Sequence, residues 1–465
     1  MSEYGIIPVG SFDSSGAEKH TILVTGWVLD ARLDPSKLEA AWRDLSIAWP
    51  ILSARIRKDS KDNWFFHIPT SETPDYDFRV VHKSEPIRTS YTYSQPAPHI
   101  RLVVKENPDD LYSSPDPWRR KLPELMKVDK PISQLSLTLY PDASVLGLSV
   151  PHVLCDGMGV AEIMRALTTV LRGEPAPPIA PPDCDPFAKY RPEEDPKQDQ
   201  GIAKAKQGNV GVIPDGWRVF SALQMAVFVF CTVWDMISRR EDENREMYIP
   251  PQEVQRLKTE AMEDIKREGV EGEYISTSDA VLAFMLKCIY TPRFASSKHS
   301  HSLFYSANMR NHLQAAFPED GAYIRNAARG ALFTMPVASI PTESLGALAL
   351  KFRRGLLAQT TPAYTESFLR FRMRAHAEGT TPVFFADPRS YWNVVTNWRT
   401  QRLMFVDLSP AAENAGAKVS VLYVWGTGYQ PFPMRNDPAG GLWVGGFFPR
   451  AVWEDREGFG KYLEK

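Results

Sequence analysis

The sequence predicts a two-domain protein of mixed α/β class, and three observations lead to that prediction. The chain has 465 residues, well beyond the roughly 100–200 residues of one typical domain. Short β-branched apolar runs alternate with segments whose apolar residues recur at helical spacing. Residues 174–208 are rich in proline, which fixes φ and removes a backbone donor, so no sheet or long helix is expected to run through them. We expect the crossover between the domains there.

Composition and charge exclude several classes of protein. Hydrophobic residues make up 43% of the chain and charged residues 24%, as in an ordinary globular protein and unlike a disordered or collagen-like one. Lys and Arg (54) nearly balance Asp and Glu (56), and no basic run occurs, so we predict no nucleic-acid partner. The four cysteines lie far apart, which argues against a metal site or a disulfide framework. Together with an N-terminus that lacks a signal-peptide core, they predict a cytoplasmic protein.

The first domain is predicted to begin with a strand, a helix and a second strand. Residues 21–29 are apolar and β-branched, which is typical of a strand. Asp34 and Pro35 indicate a helix start, because proline suits the first helical turn. Residues 51–56 again have the pattern of a strand, whereas residues 70–130 show no clear pattern. The buried face of the helix is predicted to carry Leu38, Ala41, Trp42 and Leu45.

A hairpin and a second helix follow in the same domain. Residues 134–140 alternate polar and apolar side chains, which predicts a half-buried strand, and residues 144–150 form a more apolar return strand. An amphipathic helix is predicted after Gly157, and it ends at Gly173, because glycine commonly follows the last helical turn.

The predicted domains are residues 1–180 and 246–465, and residues 181–245 form the crossover with a hydrophobic segment. The second domain opens with a short strand at residues 246–250 and a helix at residues 252–266. A capped helix and four strands follow at residues 280–290, 303–308, 392–396, 419–425 and 441–448. The last two strands are assigned to the sheet of this second domain.

The stretch Val219–Trp234 carries no charged residue and is bracketed by Arg218 and Asp235. As a helix it would be about 24 Å long, whereas the hydrocarbon core of a bilayer is about 30 Å thick. Three interpretations stay open: a buried or capping helix, an interfacial membrane anchor, and a transmembrane span. Under the second interpretation, a cytoplasmic protein would contact a membrane peripherally through this stretch.

The segment from Pro151 to Gly159 is the most informative about chemistry. His152 follows an apolar strand, and Asp156, Gly157 and Gly159 come next, where the following helix starts. An imidazole accepts and returns a proton near neutral pH, and glycines let another backbone or a ligand approach closely. The spacing alone equally fits a non-catalytic histidine at a domain boundary, with Asp156 as a helix cap.

The same segment resembles the HxxxDG motif of the BAHD acyl-CoA-dependent acyltransferases, particularly their fungal natural-product O-acyltransferase branch. The related condensation domains usually carry two adjacent histidines, and Pro151 at the first of those positions favours the acyl-CoA branch. The resemblance implies two chloramphenicol-acetyltransferase-like domains, each a mixed sheet flanked by helices, joined by a long crossover. Further similar segments are Trp42–Arg57, Ile275–Ala280, Asn308–Arg310, Tyr323–Asn326 and Val395–Trp398.

The resemblance also implies a reaction and a role for each matched residue. An acyl group, most often acetyl in this branch, passes from acyl-CoA to a hydroxyl or amine of an apolar secondary metabolite. His152 is the general base, Asp156 orients the motif, and Thr396 donates to the oxyanion. Acyl-CoA is a co-substrate, no cofactor is implied, and a monomer is expected. The other matched residues are structural (Gly157, Gly159, Arg310, Asp407) or bind substrate (Ser276, Thr277, Trp398).

One family signature is degenerate in this chain. The family carries a DFGWG loop after the element that Val395–Trp398 matches, and here residues 405–410 read FVDLSP. Only Asp407 fits, and the resemblance implies that it pairs with Arg310. The degenerate loop motivates an alternative, a recruited scaffold that catalyses a CoA-independent reaction such as an intramolecular cyclisation. The apolar stretch at 219–234 motivates another, a non-catalytic membrane-associated binding protein.

Three further candidates stay open at this point. Cys155, beside the histidine motif, is either an acylated nucleophile or a small buried hydrophobe. His299 and His301 have side chains that bind metals, but no third ligand is evident. Arg325 replaces the glycine usual at its position in the family, and it either forms a salt bridge or meets an anionic group of the substrate.

Overall fold

The structure is a computed structural model, and it describes residues 4–10, 12–14, 18–87, 97–104, 109–112, 116–192, 217, 220–238, 242–377, 387–414, 416–426 and 432–463. Within these residues the strands are β1 (Tyr4–Pro8), β2 (Ile22–Leu29), β3 (Arg55–Lys58), β4 (Trp64–Pro69), β5 (Phe78–His82), β6 (Arg101–Val104), β7 (Gln134–Leu139), β8 (Ser144–Pro151), β9 (Asp242–Ile249), β10 (Ser300–Asn308), β11 (Ala328–Pro336), β12 (Tyr391–Asn397), β13 (Val419–Gly426), β14 (Phe432–Asn436) and β15 (Leu442–Pro449). The helices are α1 (Pro35–Ala48), α2 (Asp109–Tyr112), α3 (Leu122–Leu125), α4 (Gly157–Leu171), α5 (Ala222–Ser238), α6 (Pro251–Arg267), α7 (Thr277–Ile289), α8 (Ser339–Thr342), α9 (Leu345–Gln359), α10 (Pro362–Ala377) and α11 (Arg450–Trp453).

Five strands form one sheet, in the order β13-β2-β8-β7-β5. β2 and β8 are buried along their whole length, because their apolar residues are covered on both faces of the sheet. β7 and β8 pair antiparallel, which confirms the hairpin predicted within residues 134–150. Helices α1 and α4 pack together and share one core with this sheet. Asp34 caps α1 and Pro35 is its first residue, as the sequence predicts.

Seven strands form a second sheet, in the order β11-β10-β12-β14-β15-β9-β6. Helices α6, α7 and α9 pack on one another, and their apolar faces share the core of this sheet. The helices predicted at residues 252–266 and 280–290 and the strands predicted at 303–308, 392–396 and 441–448 are thereby confirmed. β1, β4 and β3 form a third, small sheet. The predicted mixed α/β class is correct.

Each half of the chain contributes one strand to the sheet of the other half. β13 pairs antiparallel with β2, so the assignment of residues 419–425 to the second domain's sheet is wrong. β6 pairs with β9, although it precedes the crossover. A strand follows from local composition, whereas its neighbours are long-range contacts that no local pattern specifies. The boundaries at residues 180 and 245 stay a prediction, and residues 193–216 of the crossover lie outside the described residues.

The strand predicted at residues 51–56 is wrong in its first half. Pro50–Ser53 form a 3₁₀ turn, and β3 begins at Arg55. Pro50 holds φ at a helical value and has no N–H to give to a sheet. The chain becomes extended only where Arg55–Lys58 pair with β4.

Within the apolar stretch at residues 219–234, the helix α5 begins at Ala222. Met225 and Phe228 on one face are partly buried against Phe220, which Trp392 also contacts. Large apolar side chains elsewhere on the helix are exposed. Of the predicted buried or capping helix, the structure therefore contradicts the buried form and is compatible with the capping form. Among the described residues, no helix combines the length and the apolar character that a membrane crossing requires.

Candidate active site

His152 lies in the turn between β8 and α4. Its backbone N–H donates to the carbonyl of Thr21 at 2.8 Å, and its carbonyl accepts from Nδ2 of Asn326 at 2.7 Å. Both bonds are made by the backbone, and neither involves the imidazole. The residue is partly exposed, and its buried Nδ1 has no hydrogen-bond partner within the described part of the chain. Because Nδ1 is shielded from solvent, a substrate would have to reach the ring at Nε2.

Asp156 caps α4 and ties its start to the other half of the chain. Oδ1 accepts from the backbone N–H groups of Met158 and Gly159, both at 3.0 Å, as an N-cap side chain does. Oδ2 accepts from the N–H of Ala327 at 2.9 Å. Arg310 donates to both carboxylate oxygens, at 3.0 and 3.2 Å. These partners saturate the carboxylate, which fits the orienting role predicted for it.

The pair of Asp156 and Arg310 sets the charge of this buried turn. Burial alone would raise the pKa of Asp156, but the charge and hydrogen bonds of Arg310, together with the N–H groups of Ala327 and Gly159, outweigh burial, and the pKa lies below its ordinary value of 3.8. The pKa of the neighbouring Cys155 thiol shifts in the opposite direction. Burial and the Asp156 carboxylate raise this pKa well above the ordinary value. A fully buried, protonated thiol favours the interpretation of Cys155 as a small hydrophobe over that of a nucleophile.

A second buried carboxylate, Asp13, holds Asn326, which in turn donates to the backbone carbonyl of His152. Oδ1 of Asp13 accepts from the backbone N–H and from Nδ2 of Asn326, both at 3.0 Å, and the same Nδ2 donates to the His152 carbonyl. Oδ2 accepts from Nε and Nη2 of Arg325, at 3.0 and 2.5 Å. Arg325 therefore forms a buried salt bridge, which is one of the two alternatives that the sequence left open. Its Nη1 donates to the carbonyl of Pro182 at 3.1 Å.

Gly157 and Gly159 let other segments come close to the start of α4. A Cβ on Gly159 would lie 2.0 Å from the backbone oxygen of Ile324, which has no room to move aside. A Cβ on Gly157 would lie 2.9 Å from Cη2 of Trp398. Glycine at these positions thus allows a backbone and an indole ring to lie directly on the helix start, as the sequence predicts.

β12 carries Thr396 and Trp398 to this helix start. The odd-numbered residues of β12 face α7, where Nδ2 of Asn397 donates to Oγ of Ser278 at 3.1 Å. The even-numbered residues face the opposite side, where Nε1 of Trp398 donates to Oγ1 of Thr396 at 3.2 Å, and where the indole lies over Gly157. The Thr396 hydroxyl accepts this bond and keeps its own proton for another acceptor.

Ser276 is the N-cap of α7, and Thr277 is its first residue. Oγ of Ser276 accepts from the N–H of Asp279 at 3.3 Å, and the Asp279 carboxylate accepts from the N–H of Ser276 at 2.8 Å, so the two residues form a capping box. Ser278, one residue later, accepts from Arg399 at 2.8 Å. This helix start therefore lies beside the end of β12, and the substrate contacts of Ser276 and Thr277 stay a prediction.

The predicted pairing of Asp407 with Arg310 is wrong. Asp407 is exposed, and its Oδ1 accepts from the N–H of Ser409 at 3.0 Å. Arg310 pairs with Asp156 and also donates from Nε to the carbonyl of Tyr323 at 3.3 Å. In place of the family's glycine-rich loop, this chain forms a short 3₁₀ turn, and the Asp407 carboxylate is engaged locally at its start.

The two histidines at 299 and 301 pack against residues that do not bind metals. Nε2 of His301 lies 3.0 Å from Oδ1 of Asn393, and burial lowers the pKa of His301 to about 4. His299 packs against the ring of Tyr391. Among the described residues, no group of three or more His, Cys, Asp or Glu side chains is placed to bind a metal. His301 is thus a neutral histidine of the core.

Most of the predicted site residues meet at one junction between the two large sheets. The turn with His152 and Asp156 contacts Trp398, which in turn bonds to Thr396. The sequence did not indicate Asp13, because its partner Asn326 lies 313 residues away along the chain and no local pattern marks the pair. Chemically, the junction offers the imidazole of a partly exposed residue and a hydroxyl donor.

A sequence model of the Transferase family matches residues 129–413, which is more than half of the chain. The chain belongs to this family, the BAHD acyltransferases. The enzyme is accordingly an acyltransferase, and its relatives include fungal acetyltransferases. The recognition from the HxxxDG-like segment is confirmed.

Individual relatives agree with this assignment. Acetyltransferase adrJ of Penicillium rubens is 24% identical over 432 residues, which cover 89% of this chain and 84% of the relative. The structure of F. sporotrichioides TRI101 complexed with coenzyme A and T-2 matches with a TM-score of 0.65 at 16% identity, over 98% of this chain and 99% of that one. Vinorine synthase matches with a TM-score of 0.61 at 13% identity, over 97% and 91%. The predicted chloramphenicol-acetyltransferase-like fold is thereby confirmed.

Proposed function

We propose that this acyltransferase moves an acyl group, in the simplest case acetyl, from acyl-CoA to a hydroxyl or amine of an apolar secondary metabolite, with His152 as general base. One observation carries the proposal. The ring of the partly exposed His152, with Nδ1 unpaired among the described residues, lies in the turn that Trp398 joins to the Thr396 hydroxyl. We further propose that the enzyme is a cytoplasmic monomer.

In the proposed mechanism, His152 takes the proton of the acceptor as the acceptor oxygen attacks the thioester carbonyl. The new C–O bond forms while the carbonyl electrons move onto oxygen, and the Thr396 hydroxyl donates to that oxyanion. Collapse of the intermediate breaks the C–S bond, and the proton on His152 passes to the leaving thiolate. The ring is neutral again at the end of the cycle. No covalent enzyme intermediate is needed, in agreement with the protonated Cys155 thiol.

The names of the relatives support the substrates of this proposal. AdrJ is called an acetyltransferase, and TRI101 was solved with coenzyme A and T-2 in one complex. Both are consistent with an acyl-CoA donor and a small-molecule acceptor. Family membership argues against the alternative of a non-catalytic, membrane-associated binding protein.

Calorimetry with free CoA tests the donor side of the proposal. We expect saturable CoA binding, together with release of CoA from acetyl-CoA that depends on an added apolar alcohol. A chain that binds no CoA and yet rearranges a hydroxylated substrate would overturn the proposal and establish the CoA-independent scaffold that the sequence at 405–410 motivated. Mass spectrometry of the product distinguishes acyl transfer from a CoA-independent rearrangement, because only acyl transfer adds the mass of the acyl group.

Thr396→Val is expected to lower kcat by about 10²-fold, because removal of one oxyanion donor typically has an effect of that size. Valine has nearly the shape of threonine but has no proton to donate. CoA release at saturating acetyl-CoA measures the change, and Thr400→Val, at an exposed position four residues later, is the matched control. A Thr396→Val enzyme with the kcat of the wild type would exclude the oxyanion role.

A further inference from the structure

Helix α5 presents a continuous apolar stripe to solvent. Leu223 is 75% exposed, Phe230 67%, Trp234 62% and Ile237 55%. These residues are spaced by seven, four and three positions, so they lie on one face of the helix. The rings of Phe230 and Trp234 stack on each other, with centroids 6.4 Å apart. Large apolar side chains clustered in this way on a surface mark a site of interaction.

The opposite face of α5 is linked through Phe220 to the strand that carries the candidate oxyanion donor. Met225 and Phe228 of α5 and Trp392 of β12 all pack against Phe220. Side chains alternate along a strand, so Trp392 and Thr396 point to the same face of the sheet, about 13 Å apart along β12. The other face belongs to α7, which Asn397 contacts through its bond to Ser278. Through Phe220, α5 therefore lies next to the outer end of the sheet face whose inner end meets the turn of His152.

The dimensions of the stripe favour a lipid surface over a second copy of the chain. Seventeen residues make a helix about 26 Å long and about 10 Å wide, so one face offers roughly 260 Å², whereas a stable protein interface buries about 800 Å² on each partner. A helix of this length that lies flat needs no matching partner surface, and no helix of the described residues is suited to span a membrane. Interfacial helices typically use Trp, Phe and Leu for this contact.

The charges that flank the stripe do not favour anionic lipid over other lipid. In the sequence, Arg218 precedes α5 and Arg239 and Arg240 follow it directly. The acidic residues of the same stretch outnumber these arginines: Asp215, Asp235, Glu241, Asp242 and Glu243. We therefore expect binding to depend on the buried apolar area and not on attraction to anionic headgroups.

We propose that α5 docks flat on a lipid membrane and that the apolar acceptor passes from the lipid to Thr396 along the face of β12 that begins at Trp392. The docking part stands on the exposed stripe alone. The delivery part rests on the proposed function, because it needs an acceptor that partitions into lipid. The proposal commits to lipid as the partner of the stripe, and a second copy of the chain is an outcome of the test.

Co-sedimentation of the full chain with vesicles tests the docking. We expect binding to vesicles of phosphatidylcholine, no large gain when phosphatidylserine is added, and a loss of at least about 10-fold in partitioning for the double variant Phe230→Ser/Trp234→Ser. Leu223→Ser/Ile237→Ser is a second, independent variant on the same stripe. Leu357→Ser is the matched control, since Leu357 is 55% exposed but lies on α9.

Two readouts keep the parts of the proposal distinct. Each variant should keep the melting temperature, the CoA affinity and the rate with a water-soluble alcohol, and should lose rate only with an acceptor dissolved in vesicles. If the wild-type chain binds neither kind of vesicle, the docking is overturned. If size-exclusion chromatography shows a wild-type dimer that becomes a monomer in the double variants, the stripe is instead an interface between copies of the chain. If no alcohol is acylated, the proposed function fails while the sedimentation result stands.

Discussion

Replacing His152 with alanine is expected to lower kcat for acyl transfer by about 10²–10⁴-fold, which is the usual contribution of a general base. The loss should not arise from unfolding, because the main-chain bonds of this residue to Thr21 and Asn326 remain in the variant. The imidazole also gives up no bond at Nδ1 among the described residues. The measurement is CoA release at saturating acetyl-CoA, together with the melting temperature and the CoA affinity, both of which should stay near wild type.

Cys155→Ala is the matched control, because the two side chains belong to the same turn. The buried thiol is held protonated by its raised pKa, so its removal should leave kcat unchanged. It should lower the free energy of unfolding by about 1 kcal/mol through the small cavity that it leaves. A His152→Ala enzyme with the kcat of the wild type would contradict the general base. An inactive Cys155→Ala enzyme that folds normally, beside a wild type that accumulates an acyl thioester, would identify the cysteine as the nucleophile instead.

Local patterns were enough to predict the elements that carry the site. β8 ends at Pro151 and α4 begins at Gly157, because an apolar run is followed by an aspartate that caps the next helix and by two small residues. The same holds for α7, whose start depends on the capping box of Ser276 with Asp279 three residues later. Such signals act over a few residues, so they can be read from the sequence directly.

Partners far apart in the sequence could not be predicted in this way. The partner of Arg310 is Asp156, 154 residues earlier, although the family resemblance implied Asp407. The strand at residues 419–426 pairs with β2, at the other end of the chain. In each case the residue type was identified correctly and its partner was not, because the partner is chosen by tertiary packing. Asp13 shows the extreme case, since no pattern around it suggests a buried role.

Helix α5 shows a different limit of prediction from the sequence. Its residues are apolar on all sides, a pattern equally typical of a core helix and of a helix in contact with lipid. Which face is covered depends on the packing that the fold supplies, and here Met225 and Phe228 are partly buried against Phe220 while Phe230 and Trp234 are exposed. The hydrophobic pattern predicted the helix, and only the packing around it shows that one face stays exposed.

Asp156→Ala is expected to lower the free energy of unfolding by about 3–5 kcal/mol, because it removes one partner of a buried ion pair and leaves the other charged. The Arg310 side chain is only 14% exposed, so water compensates little for the lost carboxylate. The start of α4 also loses its cap, which contributes typically about 1 kcal/mol. Urea denaturation measures the change. Asp156→Asn, which keeps an acceptor for the cap but not the charge, should fall between the alanine variant and the wild type.

The pH dependence of the same variants gives an independent check. Because the pKa of Asp156 is lowered in the folded protein, its stabilisation is complete above the ordinary value of 3.8 and is lost as the pH falls through the lower folded value. The difference in unfolding free energy between wild type and Asp156→Asn should therefore be constant near neutral pH and shrink only below about pH 3.8. A difference that disappears already between pH 7 and pH 5 would contradict the ion pair.

Asp407→Ala separates the two possible partners of Arg310. If Arg310 depended on Asp407, as the family resemblance implies, this variant would destabilise the protein as strongly as Asp156→Ala. The Asp407 carboxylate is exposed and accepts one bond, from the N–H of Ser409, so the change should stay within about 0.5–1 kcal/mol. The double variant Asp156→Ala/Arg310→Met removes both charges and should recover part of the loss, because an unpaired buried charge costs more than no charge at all. Recovery in the double variant together with a mild Asp407→Ala would establish that the stability of this turn depends on one specific ion pair.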